Sequence, residues 1–190
     1  MSAALIIIDL IDDLIGPKGR ANHCREQVLE LNLIANTNTA AAYARVRKIP
    51  VIWVRVGFAD DYHDIPAHSP LFSHLKQIGA LRLSSPGCQW DKDLQVLPTD
   101  IQFEKHGVGA FAGNNLLAWL QQHRCHHLLL GGVSTPLAIE STARQAHDAG
   151  FQVTVLQDLC AAPTQEIHQQ SLDILQNLAE ITRSQAWMKG

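Results

Sequence analysis

The chain is 190 residues long, 46% hydrophobic, and carries a formal net charge of -3 at pH 7. That length favours one domain, residues 1–190, with a sizeable core, and so slight a charge offers little to nucleic acid or to an anionic membrane surface. No apolar run reaches the ~18 residues of a membrane helix, and no basic stretch of a secretory signal opens the chain. The four cysteines, Cys24, Cys88, Cys125 and Cys160, are scattered without a C-x-x-C pair, which suits reduced thiols in a cytoplasmic protein.

Residues 4–9 (ALIIID) form a near-continuous apolar run, as a parallel strand covered on both faces requires. After the Gly16-Pro17-Lys18-Gly19 loop, one helix is predicted over about 25–47, with Val28, Leu31, Ala35 and Ala42 near one side. Pro50 opens a second strand, VIWVRV over 51–56. Residues 57–98 hold four prolines and only short apolar runs, an irregular excursion of the kind that builds binding surface. A third strand over 101–104 leads to a helix capped by Asn114 and ending near Arg124.

The stretch from His127 to Gly150 organises the rest. A buried strand centred on Leu128, Leu129 and Leu130 is closed by Gly131-Gly132, after which Thr135 reads as an N-cap and Pro136 as the first helical residue. Such a strand–turn–helix aims backbone amides at one point above the sheet edge, where an anion or developing oxyanion is favoured. Residues 151–156 (FQVTVL) are a fifth strand. Thr164 caps a helix with Ile167, Ser171, Ile174, Leu175 and Leu178 on one side, and 180–183 add a sixth strand. The expected fold is α/β: a three-layer α/β/α sandwich around a mostly parallel, six-stranded, Rossmann-like sheet with right-handed crossovers.

Sites in such folds gather at the carboxyl ends of the strands. Strand one ends at Asp9, strand three at Lys105, and strand four at the turn before Ala138. An acid, a base and an amide pocket therefore converge from distant parts of the chain.

Three blocks carry a resemblance to the isochorismatase-like hydrolases, also called cysteine hydrolases. LIIIDLIDDL is similar to the family's strand ending in an aspartate, here Asp9. KHGVGAFAGNNL is similar to its K-x-x-x-S-A-F-x-G-T-x-L pattern at Lys105, Ala110, Phe111, Gly113 and Leu116. GGVSTPLAIESTARQAHDAG is similar to its glycine-valine turn and T-A-R helix. The resemblance covers essentially the whole chain and implies an enzyme acting on a small molecule, a homo-oligomer, and a cis peptide at Val133–Ser134.

It also marks departures. Amide-cleaving members carry at position 138 a cysteine that forms the acyl-enzyme, whereas Ala138 has no electron pair to offer. Cys88 and Cys160 are the candidates for a displaced thiol, each with a plain reading as a small core residue. Members proper to isochorismate cleavage also lack that cysteine, which implies hydrolysis of a vinyl ether or related C–O or C–N bond by Asp9 and Lys105 alone. Two alternatives stand beside it: a pocket-retaining binding protein without activity, and a Cys→Ala variant of an amide-cleaving enzyme. The amides of Ser134 and Ala138 are the expected cradle for a substrate oxygen, beside Val133. Arg55 and Arg82 are candidate carboxylate partners, and Phe111 and Trp90 candidate apolar walls. Asp60, Asp61, His63, Asp64, His68 and His74 crowd one loop, but the D-W-H-P type motif of metal-holding relatives is absent. The loop therefore reads as solvated, and no metal or cofactor is expected. Arg144 reads as a structural ion-pair partner.

Overall fold

A computed structural model describes residues 2–190. Six parallel strands, β1 (Ser2–Ile8), β2 (Val51–Val56), β3 (Ile101–Lys105), β4 (Cys125–Val133), β5 (Gln152–Ala161) and β6 (Glu180–Thr182), lie in the order β3-β2-β1-β4-β5-β6. The order reverses between β1 and β4, which opens a crevice at their carboxyl ends. Alternate residues of β1 supply both faces: Ala4, Ile6 and Ile8 pack on one, Leu5 and Ile7 on the other.

Eight helices cover the sheet: α1 (Asp12–Ile15), α2 (Arg25–Glu30), α3 (Leu33–Val46), α4 (Pro70–Gln77), α5 (Leu116–Gln122), α6 (Glu140–Asp148), α7 (Gln165–Leu175) and α8 (Ser184–Lys189). Leu116 and Leu120 of α5, Ala143 and Ala146 of α6, and Leu172 and Leu175 of α7 fill one face. Val28 of α2, with Leu33, Ala40, Ala41 and Ala44 of α3, fills the other. Among the described residues no helix is long and apolar enough to cross a membrane.

Two helix expectations are corrected. The single helix over 25–47 is two, because Asn32 takes a left-handed conformation at φ 50°, which Asn tolerates better than most residues. Gln27, buried on the first piece, accepts from Ala162 N (2.8 Å) and donates to Gln165 (2.7 Å), which fixes α2 to the end of β5. On α7, Thr164 caps as expected, its Oγ1 accepting from Ile167 N at 3.2 Å. The buried face is instead His168, Ser171, Leu172 and Leu175, while Ile167 and Ile174 are 37% and 50% exposed.

The excursion over 57–98 builds its own apolar cluster from Phe58, Tyr62, Phe72, Leu75 and Leu81 against Ile11 and Val56. Ser69 caps α4 by accepting from Phe72 N, with Pro70 in its first turn. This cluster becomes one side of the crevice.

Candidate active site

Asp9 follows β1 at φ 62°, a turn that swings its side chain under the end of β2. Its Oδ1 accepts from Val56 N at 2.7 Å, and its Oδ2 lies 2.8 Å from Lys105 Nζ. Lys105, the last residue of β3, also donates from Nζ to the Val108 carbonyl at 2.5 Å. Both groups are out of water, Asp9 3% and Lys105 1% exposed. Burial pushes the Asp9 carboxyl above its ordinary range, while the Lys105 charge and hydrogen bond and the Val56 amide pull it down. The ion pair is thus held by three elements, with β2 bridging the other two.

β4 delivers the third part. Its end brings Val133, Ser134 and Ala138 to the cavity that Asp9 and Lys105 line. The Val133–Ser134 peptide is cis. The first turn, Thr135–Ile139, is a π-helix rather than an α-helix, a widening common at functional sites. The Ser134 carbonyl accepts from the amides of Leu137 and Ile139 (3.2 Å each), which straddle that of Ala138. Thr135 does not cap as expected: its hydroxyl pairs with Nδ1 of buried His168 at 2.8 Å, which ties the turn to α7. Burial holds the His168 pKa below the usual imidazole range, which favours a neutral ring there.

Four expected residues lie elsewhere. Arg55 alternates with Val54 and Val56 and so faces away from the cavity that Val56 lines. Its guanidinium donates to Glu104 (2.7 Å) and to the Cys88 carbonyl (3.1 Å). Trp90 stands beside it, packed on Trp53 at 5.9 Å, its Nε1 donating to Gln102 at 3.0 Å. Both border a separate depression with Phe103 and Asn114. Phe111 packs into the core with α5 and α6, since Ala110 N donates to Thr142 Oγ1 at 2.9 Å and draws that loop to α6. Leu81 lines the cavity and its neighbour Arg82 does not.

The cavity also contains residues that the sequence did not place at the site: Leu14, Cys24, Val56, Phe72 and Leu75, with exposed His23 and His74, the latter from the His-rich stretch, at its rim. A signal existed for α4, since Ser69-Pro70 followed by Phe72 and Leu75 is a cap and an i, i+3 apolar pair. No sequence signal marks Cys24. Burial pushes the Cys24 and Cys88 thiols up to about 12 and raises Cys160 as well. Each therefore stays protonated near neutral pH and is a poor nucleophile. Cys88 and Cys160 lie outside the cavity wall, donating instead to the Val56 carbonyl (3.2 Å) and the Leu156 carbonyl (3.4 Å). Among the described residues no three His, Cys, Asp or Glu side chains are grouped to hold a metal ion. In the His-rich loop, His63 pairs with Asp61 at 2.7 Å and Asp64 accepts from Ala59 N at 2.9 Å. Arg144 pairs with Glu140 at 3.2 Å along α6.

The chain matches the isochorismatase domain over residues 3–186. It belongs to the isochorismatase family. A family relative, the uncharacterized protein YecD of Escherichia coli O157:H7, is 30% identical over 177 residues, covering 90% of this chain and 86% of that one. Another, described as a probable inactive nicotinamidase of Arabidopsis thaliana, is 26% identical over 179 residues, covering 93% of this chain and 89% of that one. An isochorismatase family protein from Desulfovibrio vulgaris shares the fold with a TM-score of 0.85 at 22% identity, over 98% of this chain and 96% of that one.

Proposed function

We propose that this isochorismatase-family member is a small-molecule hydrolase in which Asp9 moves a proton and Lys105 balances its charge, with no covalent intermediate at position 138. One observation carries the reading: a 2.8 Å carboxylate–ammonium pair opens onto the same cavity as a bare methyl group at Ala138. Such a pair can move protons, and the methyl group at position 138 offers no atom to acylate.

For an enol ether the steps balance with one water. The Asp9 carboxylic acid gives its proton to the terminal alkene carbon, and the ether oxygen shares its electrons to form an oxocarbenium ion. Lys105 stabilises the carboxylate left behind. Water adds to the cationic carbon and returns a proton to Asp9. The hemiketal then breaks its C–O bond, releasing an alcohol and a ketone. The raised pKa of Asp9 suits the first step, because more of it is in the acid form at working pH. The amides of Ser134 and Ala138 are the groups proposed to hold the substrate oxygen.

Turnover of a panel of enol ethers, esters and amides tests this. Asp9→Asn is expected to lower kcat by at least about 10²-fold with the far-UV circular dichroism unchanged. Full activity in that folded variant ends the proposal.

The methyl of Ala138 also favours a second reading, a pocket kept for binding after loss of a nucleophile, in line with the relative described as probably inactive. Under it the wild type turns over nothing, whereas Ala138→Cys gains hydrolysis of small amides. The same variant tests whether Ala138 stands where an amide-cleaving parent has cysteine.

A further inference from the structure

We infer that the cavity selects an uncharged, mainly hydrocarbon compound the size of a single ring and turns carboxylates away. The claim about binding stands on the cavity alone; its extension to a substrate rests on the hydrolase reading above.

Size comes first. The cavity has a volume of about 190 Å³, and an apolar cavity of about 150 Å³ is enough to hold benzene. One ring with a short substituent fits; a ring bearing a second long arm does not.

Charge is the second argument. Leu14, Val56, Phe72, Leu75, Leu81 and Val108 make up much of the wall. The two ionisable groups at its floor, Asp9 and Lys105, are committed to each other, and Lys105 is also held by the Val108 carbonyl. No arginine lines the cavity: Arg55 is on the other side of β2, engaged by Glu104, and Arg82 lies outside the wall. His23 and His74 are exposed at the rim, where water screens them. A bound carboxylate would therefore lose its hydration beside Asp9 with no free cation to answer it. A neutral ring loses only water-exposed apolar surface, and a single carbonyl or ether oxygen can accept from the backbone amides of the turn after β4, which borders the cavity. The geometry assigns the site to compounds with one such oxygen.

Acetophenone and benzoate, close in size and differing in charge, separate these cases. Binding of each to the wild-type protein at pH 7 is read by calorimetry. Acetophenone is expected to bind at least tenfold more tightly. Equal affinities, a preference for benzoate, or no binding of either overturns the assignment. Leu71→Arg provides the second variant, since Leu71 lines the cavity yet is 37% exposed and an arginine there remains solvated. It is expected to bring benzoate to within about threefold of acetophenone; no change in benzoate binding places the binding elsewhere and overturns the assignment too. Turnover of α-methoxystyrene, a neutral enol ether whose hydrolysis gives acetophenone and methanol, is measured alongside. If acetophenone binds selectively while α-methoxystyrene reacts no faster than in buffer, the hydrolase reading falls and the size-and-charge assignment stands.

Discussion

Burial and Lys105 pull the Asp9 carboxyl in opposite directions, and burial prevails. The sign has two consequences. As an acid Asp9 is active when protonated, so kcat/KM falls as pH rises through its raised pKa. The folded chain also holds a proton that the unfolded chain releases above the ordinary value of 3.8. This group's contribution to stability is therefore largest at acid pH and declines as pH rises through that window. Lys105→Met removes both the charge and the hydrogen bond that lower the pKa. The alkaline limb of the pH–rate profile should then move up by about one pH unit or more, and the carboxyl carbon chemical shift of Asp9 should titrate in step. A limb that stays in place or moves down shows that Lys105 does not set the proton. Asp9, Lys105 and Ala138 were legible in the sequence because alternating strands and helices put strand ends on one edge. The place of Arg55 was not, because the facing of a residue near a strand end depends on register, nor was that of Trp90, which lies in the irregular excursion and packs on Trp53. A shift by one residue turns a side chain to the other face.

The strand–turn–helix unit from β4 to α6 was legible as a unit and misread in detail. Its glycines announced a turn, but the π-helical first turn and the Thr135–His168 contact are tertiary facts with no local signature. The break at Asn32 was likewise hidden, since apolar spacing runs through it while the backbone does not. Gly132 shows what the turn demands. It sits at φ 126°, and a Cβ there would come within 2.0 Å of the Ile8 carbonyl oxygen on the neighbouring strand. Gly150, which ends the same unit at φ 85°, has nothing within 4 Å of that position. Gly150→Ala should therefore cost only the left-handed backbone penalty of about 1–2 kcal/mol. Gly132→Ala must also part β1 from β4 and should cost at least about 4 kcal/mol. Urea denaturation of the two variants reads the difference; equal losses would mean that the close approach of the strands contributes nothing.

Across the whole molecule, the parallel six-stranded sheet was readable from the alternation of strand and helix signals, whereas the strand order and its switch point between β1 and β4 were not, because pairing between strands distant in sequence leaves no local mark. The excursion over 57–98 was not, because it has no period and is held from outside itself. Much of that hold is one carboxylate. Asp13, buried in α1, accepts from Leu81 N at 2.8 Å and from Arg20 N at 3.4 Å. It thereby pins the segment that places Leu81 beside Phe72 and Leu75 in the cavity wall. Asp13→Ala leaves the buried Leu81 amide without an acceptor, a loss of about 1–3 kcal/mol. That cost falls on the excursion rather than on the sheet, which shares none of these bonds. Hydrogen exchange should thus accelerate by roughly ten- to a hundredfold over residues 57–98 while amides of β1 and β4 keep their protection. Acetophenone binding should weaken in the same variant, because one wall of the cavity has loosened. Uniform acceleration across all strands would instead make Asp13 a support of the whole core, and the excursion would then be part of one cooperative unit with the sheet.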